Sequence, residues 1–244
     1  MNHKKTTLLA LAAGLGLAGP AHAQLFNEFR SNPPGTDSAP EFVELTGTPG
    51  SSFTGEFLAL ENDSGGGFGE IQDLTSISDS FDSNGLLTFD SGDIENPSYT
   101  LALVGGFTGS DGDDLDTNDD GTIDVTPWTT VFDSISILDA ASDTGNAASL
   151  GGTEIAFNVN NEPELVFRDS VTEDWYGVGT IGDNTKIEDS SGTAVAASAF
   201  DFDPSTGNTF GAVNATTAVP EPSTYALLVG LFSLTLVAFR RRRA

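Results

Sequence analysis

Cysteine is absent from this 244-residue chain, and histidine is nearly so. Both histidines, His3 and His22, fall within the first 23 residues. The region beyond them therefore has no disulfide framework, no cysteine nucleophile and no imidazole base. It also has no ordinary zinc or copper site.

Basic residues are the second scarcity. Between residues 24 and 218 only Arg30, Arg168 and Lys186 oppose 35 acidic residues, a formal charge of −32. Tight nucleic-acid binding is not expected, because phosphates need Lys and Arg to displace their counterions. The carboxylates, amides and hydroxyls that remain are ligands for a hard cation, although so much acid also serves solubility.

The N-terminus has the pattern of a secretory signal peptide. Two lysines at positions 4 and 5 precede an apolar run over 8–17, and Ala21-His22-Ala23 forms a small-residue cleavage site. This order of charged, apolar and small residues predicts a signal peptide over 1–23, removed before Gln24.

The C-terminal tail has three ordered parts. They are Val219, Pro220, Glu221 and Pro222, then the uncharged run Tyr225–Phe239, then Arg240, Arg241, Arg242 and Arg243. As a helix the run would be about 22 Å long, shorter than the roughly 30 Å hydrocarbon core of a bilayer. Flanking residues or local thinning of the bilayer must therefore help it to span the membrane. The arginines would hold their end on the cytoplasmic side. We therefore predict a single short transmembrane helix.

This tail resembles the PEP-CTERM sorting signal. The resemblance implies export through the inner membrane, a transient membrane anchor, and processing by the integral-membrane protease exosortase. It also implies a final place at the cell surface or in the extracellular matrix of bacteria that make exopolysaccharide.

The region between the two ends has a β pattern throughout. Short apolar or alternating runs are separated by turn clusters such as Ser83-Asn84-Gly85, and no segment keeps a 3.6-residue period. We predict an all-β sandwich over 24–200. The predicted strands are 25–29, 42–45, 57–61, 86–89, 99–104, 131–138, 155–159, 164–167 and 175–178. Residues 201–218, rich in Ser, Thr, Gly, Asn and Ala, predict a flexible linker.

The first predicted strands carry a second resemblance. Phe26-Asn27-Glu28-Phe29 and Glu41-Phe42-Val43-Glu44-Leu45 resemble the opening of a lamin-tail domain. The likeness covers roughly Leu25 to Asp139, with a weaker continuation beyond. That family implies an immunoglobulin-like β-sandwich with a scaffold or interaction role, and no reaction. Glu28, Glu41 and Glu44 repeat acidic positions of the pattern, and on alternating strands we expect them to face solvent.

One acidic stretch, 114–124, resembles the calcium loops of EF-hands and dockerin-like repeats. With Asp116 at loop position 1, the matched ligand positions are Asp116, Asn118, Asp120, Thr122 (through its carbonyl) and Asp124. Gly121 falls at the sharp turn, and Ile123 would anchor the loop.

The pattern is incomplete at position 12, where Pro127 replaces the bidentate acid. A further ligand would have to come from Asp111, Asp113, Asp114 or Asp133. The predicted calcium affinity is therefore weak, about 10⁻⁴–10⁻³ M. A solvated acidic turn without an ion is the alternative.

Other functions have weaker signals. Trp128, Trp175 and Tyr176 could stack on sugar rings, which leaves a calcium-dependent carbohydrate-binding module as an alternative. A glycan hydrolase would need two carboxylates roughly 5–10 Å apart across a cleft, and no spacing selects a pair. A Ser–Lys dyad would rest on Lys186 alone. We therefore predict a non-enzymatic structural or adhesive protein.

Overall fold

The computed structural model describes residues 25–31, 41–63, 67–92, 94, 98–156 and 163–217. Within these ranges the chain forms eleven strands and three short 3₁₀ helices, at 147–150, 197–199 and 204–206. The strands are β1 Leu25–Arg30, β2 Glu41–Thr46, β3 Ser52–Glu61, β4 Ile71–Ser80, β5 Leu86–Gly92, β6 Tyr99–Gly105, β7 Thr130–Leu138, β8 Thr153–Ala156, β9 Leu165–Arg168, β10 Trp175–Val178 and β11 Ile187–Asp189.

These strands form two sheets. Sheet A has the order β11-β10-β9-β1-β2-β5, and sheet B has the order β4-β3-β6-β7-β8. Neighbouring strands are antiparallel except for β7 and β8, which are parallel. The first strand thus lies inside sheet A, between β2 and a strand from late in the chain.

The main core lies between the two sheets. Alternate side chains of a strand point to opposite faces, so β6 sends Tyr99, Leu101 and Leu103 inward. There they join residues of sheet A such as Phe29 and Leu45 in one buried cluster.

Both outer faces of the sandwich are covered by the chain itself. On sheet B, the segment 107–128 covers a second apolar cluster that includes Leu58, Ala102 and Val104. On sheet A, residues 194–217, which we call the C-terminal strap, cover a third cluster around Phe167 and Tyr176. The described chain therefore has four layers, and the two outer layers contain none of the eleven strands.

The all-β, two-sheet architecture confirms the predicted fold class at this level. Each of the nine predicted strands overlaps an observed one, although residues 157–159 of the seventh lie outside the described residues. The prediction missed β4 and β11. β4 is an edge strand with few buried side chains, and β11 has only three residues.

The flexible linker predicted over 201–218 is not what the structure has. Residues 201–217 pack against sheet A, with Ser205, Asn214 and Ala215 buried. The physical reason is hydrogen bonding to acidic side chains of the sheet, described below.

Both predicted ends, 1–23 and 219–244, lie outside the described residues. In the part of the chain that is described, no helix has the length and apolar character needed to cross a membrane.

Candidate functional site

The acidic loop, residues 114–124, lies on the outer face of sheet B. Leu115 is buried there, and Ile123 and Trp128 pack against the same apolar cluster. Backbone contacts fix the start of the loop, since the Leu115 N–H donates to the Gly69 carbonyl at 3.1 Å. As expected, Ile123 anchors the loop through its apolar side chain.

Asp116 is the centre of this loop, and it is fully buried. Its carboxylate accepts hydrogen bonds from the Gly121 N–H at 2.7 Å and the Asp120 N–H at 3.1 Å, so the chain curls around it. Gly121 has φ +83°, a conformation that favours glycine, and a Cβ there would collide with Thr144. The Gly predicted for the sharp turn thus has the expected role.

A buried polar network holds Asp116 from behind. The Asn146 side-chain amide donates to Asp116 Oδ2 at 3.0 Å, and Asn146 Oδ1 accepts from Asn62 Nδ2 at 2.7 Å. Thr100 donates to Asn62 and lies 2.7 Å from the Ser136 hydroxyl. These polar side chains sit on the outward face of sheet B, and their hydrogen bonds offset the cost of burying them. Sequence reasoning missed this network because its members lie far apart in the chain.

The other predicted calcium ligands are exposed and make local turns. Asn118 Oδ1 accepts from the Asp120 N–H at 3.1 Å, and Asp120 Oδ1 accepts from the Thr122 N–H at 2.9 Å. Asp124 Oδ2 accepts from the Thr117 hydroxyl at 2.8 Å. These are the contacts of an acidic Asx-turn loop.

The fit of this loop to calcium is partial. Within the described ranges, no three or more His, Cys, Asp or Glu side chains are grouped so as to hold a metal ion. Asn118 and Thr122 have oxygen atoms outside that set, whereas Asp116 Oδ2 already accepts two hydrogen bonds, from the Gly121 N–H and the Asn146 side-chain amide. The loop therefore has oxygen atoms of the kind that hard cations bind, but its described carboxylates do not form a complete cage.

Asp133, one of the acids considered for the missing ligand, has other contacts. It accepts from the Phe26 N–H at 2.9 Å and lies 3.7 Å from the Arg168 guanidinium, joining the two sheets. Burial raises the pKa of Asp133, and the charge of Arg168 lowers it in part. At loop position 12, the Pro127 carbonyl oxygen accepts a hydrogen bond from the Thr108 N–H at 2.7 Å.

A second group of acidic residues lies under the C-terminal strap. Glu28 and Glu44 are cross-strand partners on β1 and β2, and both are fully buried. Glu28 accepts from the N–H and the hydroxyl of Thr209, at 2.8 and 2.6 Å. Glu44 accepts from the Gly211 N–H at 2.5 Å and from Asn27 Nδ2 at 2.7 Å.

The solvent-facing position expected for Glu28, Glu41 and Glu44 is therefore wrong. Alternation does place Glu28 and Glu44 on the outward face of sheet A, but the strap covers that face. Glu41 is also buried, and it accepts from the Ile94 N–H at 3.0 Å. No local pattern indicates the burial of Glu28 and Glu44, because the strap residues that cover them lie more than 160 positions later in the chain.

The environment of this pair favours protonation. Burial raises the pKa of Glu28 to about 7, with a smaller contribution from the nearby Glu44 charge, while the hydrogen bonds from Thr209 act in the opposite direction. Burial also raises the pKa of Glu44, against the hydrogen bonds from Gly211, Asn27 and Thr88. Since the strap closes over both groups, they are not the open carboxylate pair that a glycan hydrolase needs.

The aromatic residues considered for sugar stacking are packing residues. Trp175 is buried against Phe29 and lies under the Arg168 guanidinium, 5.2 Å from its ring centre. Tyr176 stacks on Phe167 at 5.7 Å. Trp128 is half-buried beneath the acidic loop. Of the described aromatic side chains, those counted as exposed are Phe42 and Phe202, on the side of sheet A and its strap. None of them forms a platform beside the acidic loop.

Comparisons with known proteins add a partial likeness. No family model matches the chain. No solved structure matches it. A curated protein of Tolumonas auensis, described as a probable transcriptional regulatory protein, is 32% identical over 118 residues. The match covers 47% of this chain and 45% of that protein, so the chain spans less than half the length of this relative.

Proposed function

We propose that this chain is an exported structural or adhesive protein of the cell surface or extracellular matrix. Its tail is sorted and processed in the manner of PEP-CTERM proteins, so its partners are an exosortase-type protease and, before processing, the membrane. Exopolysaccharide is the matrix component that we expect it to meet. The protein carries out no reaction of its own.

The observation that carries this proposal is how near the packed, described part of the chain comes to the tail motif. Thr217 is hydrogen-bonded through its N–H and its hydroxyl to Asp169, at 2.6 and 2.9 Å. The Pro-Glu-Pro motif begins at Pro220, three residues later. The packed all-β unit thus extends to within three residues of a sequence segment whose apolar run and arginines suit membrane insertion.

Charge and the closed surface support a passive role. The unit exposes many carboxylates, and the described carboxylate pair on sheet A is closed off by the strap. Copies of a negatively charged surface repel one another, and a bound divalent cation would reduce this repulsion. The acidic loop, held in place by Asp116 and Asn146, is where we propose that calcium binds, weakly.

Mass spectrometry of surface material from the native host tests the proposal. We expect Gln24 as the N-terminal residue and no peptide beyond about Glu221. A variant with alanine at Pro220, Glu221 and Pro222 should keep its tail and stay with the membrane. Asp79→Ala, a change of an exposed residue on β4, is the matched control and should be processed normally. An intact Arg240–Arg243 end in the surface fraction of the unchanged protein would contradict the proposal.

A further inference from the structure

The C-terminal strap is attached to sheet A by apolar packing and by hydrogen bonds to acidic side chains. Its Phe200 packs against Phe167 and Tyr176 in the buried cluster described above. Its Thr209 and Gly211 donate to Glu28 and Glu44, and its last described residue, Thr217, donates to Asp169. Two further strap residues donate to backbone carbonyls: the Asn214 amide to those of Asn27 and Arg168 at 2.9 and 3.0 Å, and the Val195 N–H to that of Ile187 at 2.8 Å.

The hydrogen-bond partners of Glu28 and Glu44 are uncharged groups. Arg30 lies on the same face of β1 as Glu28, two residues further along the strand. The Arg168 guanidinium, on the neighbouring strand β9, is directed to Asp133 and Trp175. The acids of the strap nearest in sequence, Asp201 and Asp203, accept hydrogen bonds from Thr216 and Ser205 of the strap itself. The neighbouring charges that raise the pKa values of the pair are that of Glu44, acting on Glu28, and that of Asp82, acting on Glu44.

A small crevice reaches Glu28 between the strap and sheet A. Its other lining includes Phe167, Phe202, Pro204 and Thr209, and it has room for about one water molecule. While the strap is in place, bulk solvent therefore cannot solvate a charge on Glu28. Removal of the strap would expose the outward face of β1 and β2.

We propose that the strap is a proton-controlled latch, docked on sheet A when the Glu28–Glu44 pair holds a proton and released when both carboxylates are charged. Release would free the chain up to Thr217 and so lengthen the connection between the sandwich and the tail. The latch itself does not depend on the proposed tail processing.

The direction follows from proton linkage. Glu28 has its ordinary pKa of 4.5 when solvated and a pKa of about 7 under the strap, so the docked state binds the proton more tightly. Docking is therefore fully favoured below pH about 4.5 and weakens as the pH rises through 7. Between pH 5 and pH 8 the ratio of released to docked strap should rise about 50-fold.

Single cysteines can measure this release, because the natural chain contains none. The test uses the purified full chain and follows maleimide labelling at pH 5 and pH 8, so its outcome does not depend on export or tail processing. Ala215→Cys places a thiol on a buried strap residue, and Val213→Cys places one on an exposed strap residue. The labelling rate of Ala215→Cys is divided by that of Val213→Cys at each pH. Because both rates depend on the thiolate fraction, this ratio removes that dependence and measures how often the strap opens.

We expect this ratio to rise about 50-fold from pH 5 to pH 8, and to become nearly independent of pH when Glu28→Gln is added. Asp169→Asn is the matched control, since it changes another acid that holds the strap, and it should keep the rise. Ala59→Cys, buried between the sheets, should remain unreactive at both pH values. A flat ratio, a rise that survives Glu28→Gln, or labelling of Ala59→Cys in step with Ala215→Cys would each overturn the latch.

Discussion

Asn146 and Asp116 are joined by a 3.0 Å hydrogen bond that links the acidic loop to the polar network on sheet B. Asn146 itself precedes the short helix at 147–150, and its backbone N–H donates to the Thr100 hydroxyl at 3.0 Å. One side chain thus connects three separate segments of the chain.

Asn146→Ala should destabilise the protein by about 1–3 kcal/mol. The change leaves Asp116 with one donor fewer and Asn62 without its acceptor, both of them buried. Urea denaturation of region 24–218 measures this. The matched control is Asn84→Ala, in an exposed turn, which should change stability by about 0.5 kcal/mol or less. Equal losses of stability in the two variants would contradict a stabilising role for the polar network around Asn146.

Calcium should raise the melting temperature of region 24–218 by roughly 2–6 °C at tenfold excess over its Kd. A cation that binds only the folded loop stabilises the protein, and magnesium, which dehydrates reluctantly, should do less. Asp120→Ala should remove most of the calcium-specific shift, while Asp79→Ala, on the exposed edge of β4, should leave it intact. If both variants respond alike, or magnesium matches calcium, the loop is an acidic turn without a calcium site.

The sandwich core should respond strongly to the loss of an aromatic ring. Phe57 is fully buried and contacts Phe26 and Phe89, with ring centres 6.2 and 5.5 Å away. Phe57→Ala should therefore cost about 3–5 kcal/mol in the free energy of unfolding. Phe42→Ala is the paired control, since Phe42 is 42% exposed and should cost about 1 kcal/mol or less. Urea denaturation of both variants measures this. Equal shifts of the two midpoints would contradict the assignment of Phe57 to the inner face and Phe42 to the outer face.

Stability should fall as the pH rises from about 4.5 to 7. The pKa of Glu28 is raised from 4.5 to about 7, so the folded state holds a proton that the unfolded state has released over this window. Its contribution, on the order of 3 kcal/mol, is complete below pH 4.5 and lost above about 7. Burial raises the pKa of Glu44 and Asp133 too, which acts in the same direction.

Urea midpoints at pH 5 and pH 8 measure this dependence. Glu28→Gln should reduce the difference between the two midpoints, and Glu154→Gln, a change of an exposed residue on β8, should leave it unchanged. A protein that is more stable at pH 8 than at pH 5 would contradict the assignment.

The sequence predicted strands well where both faces are apolar and poorly where one face is polar. In β6 every position from Tyr99 to Gly105 is buried, and the run was easy to identify. In β4 the exposed positions are Gln, Ser and Asp, so the segment has no continuous apolar pattern; its pairing with β3 makes it a strand.

The candidate sites divide in the same way. The turn at Gly121 and the anchor at Ile123 are properties of one local stretch and could be predicted. The burial of Glu28 depends on Thr209, and the position of Asp116 depends on Asn146. No spacing within a motif can encode contacts between such distant segments.

The central place of β1 in sheet A has a consequence for the order of folding. Its neighbours are β2 and the late strand β9, and the contact from Thr209 to Glu28 spans 181 positions. Closing so large a loop makes folding slow. If the chain is threaded across a membrane from its N-terminus, β1 must wait, with one edge open, until β9 and the strap have emerged. Most of the described chain would then have to be synthesised and transported before sheet A can form.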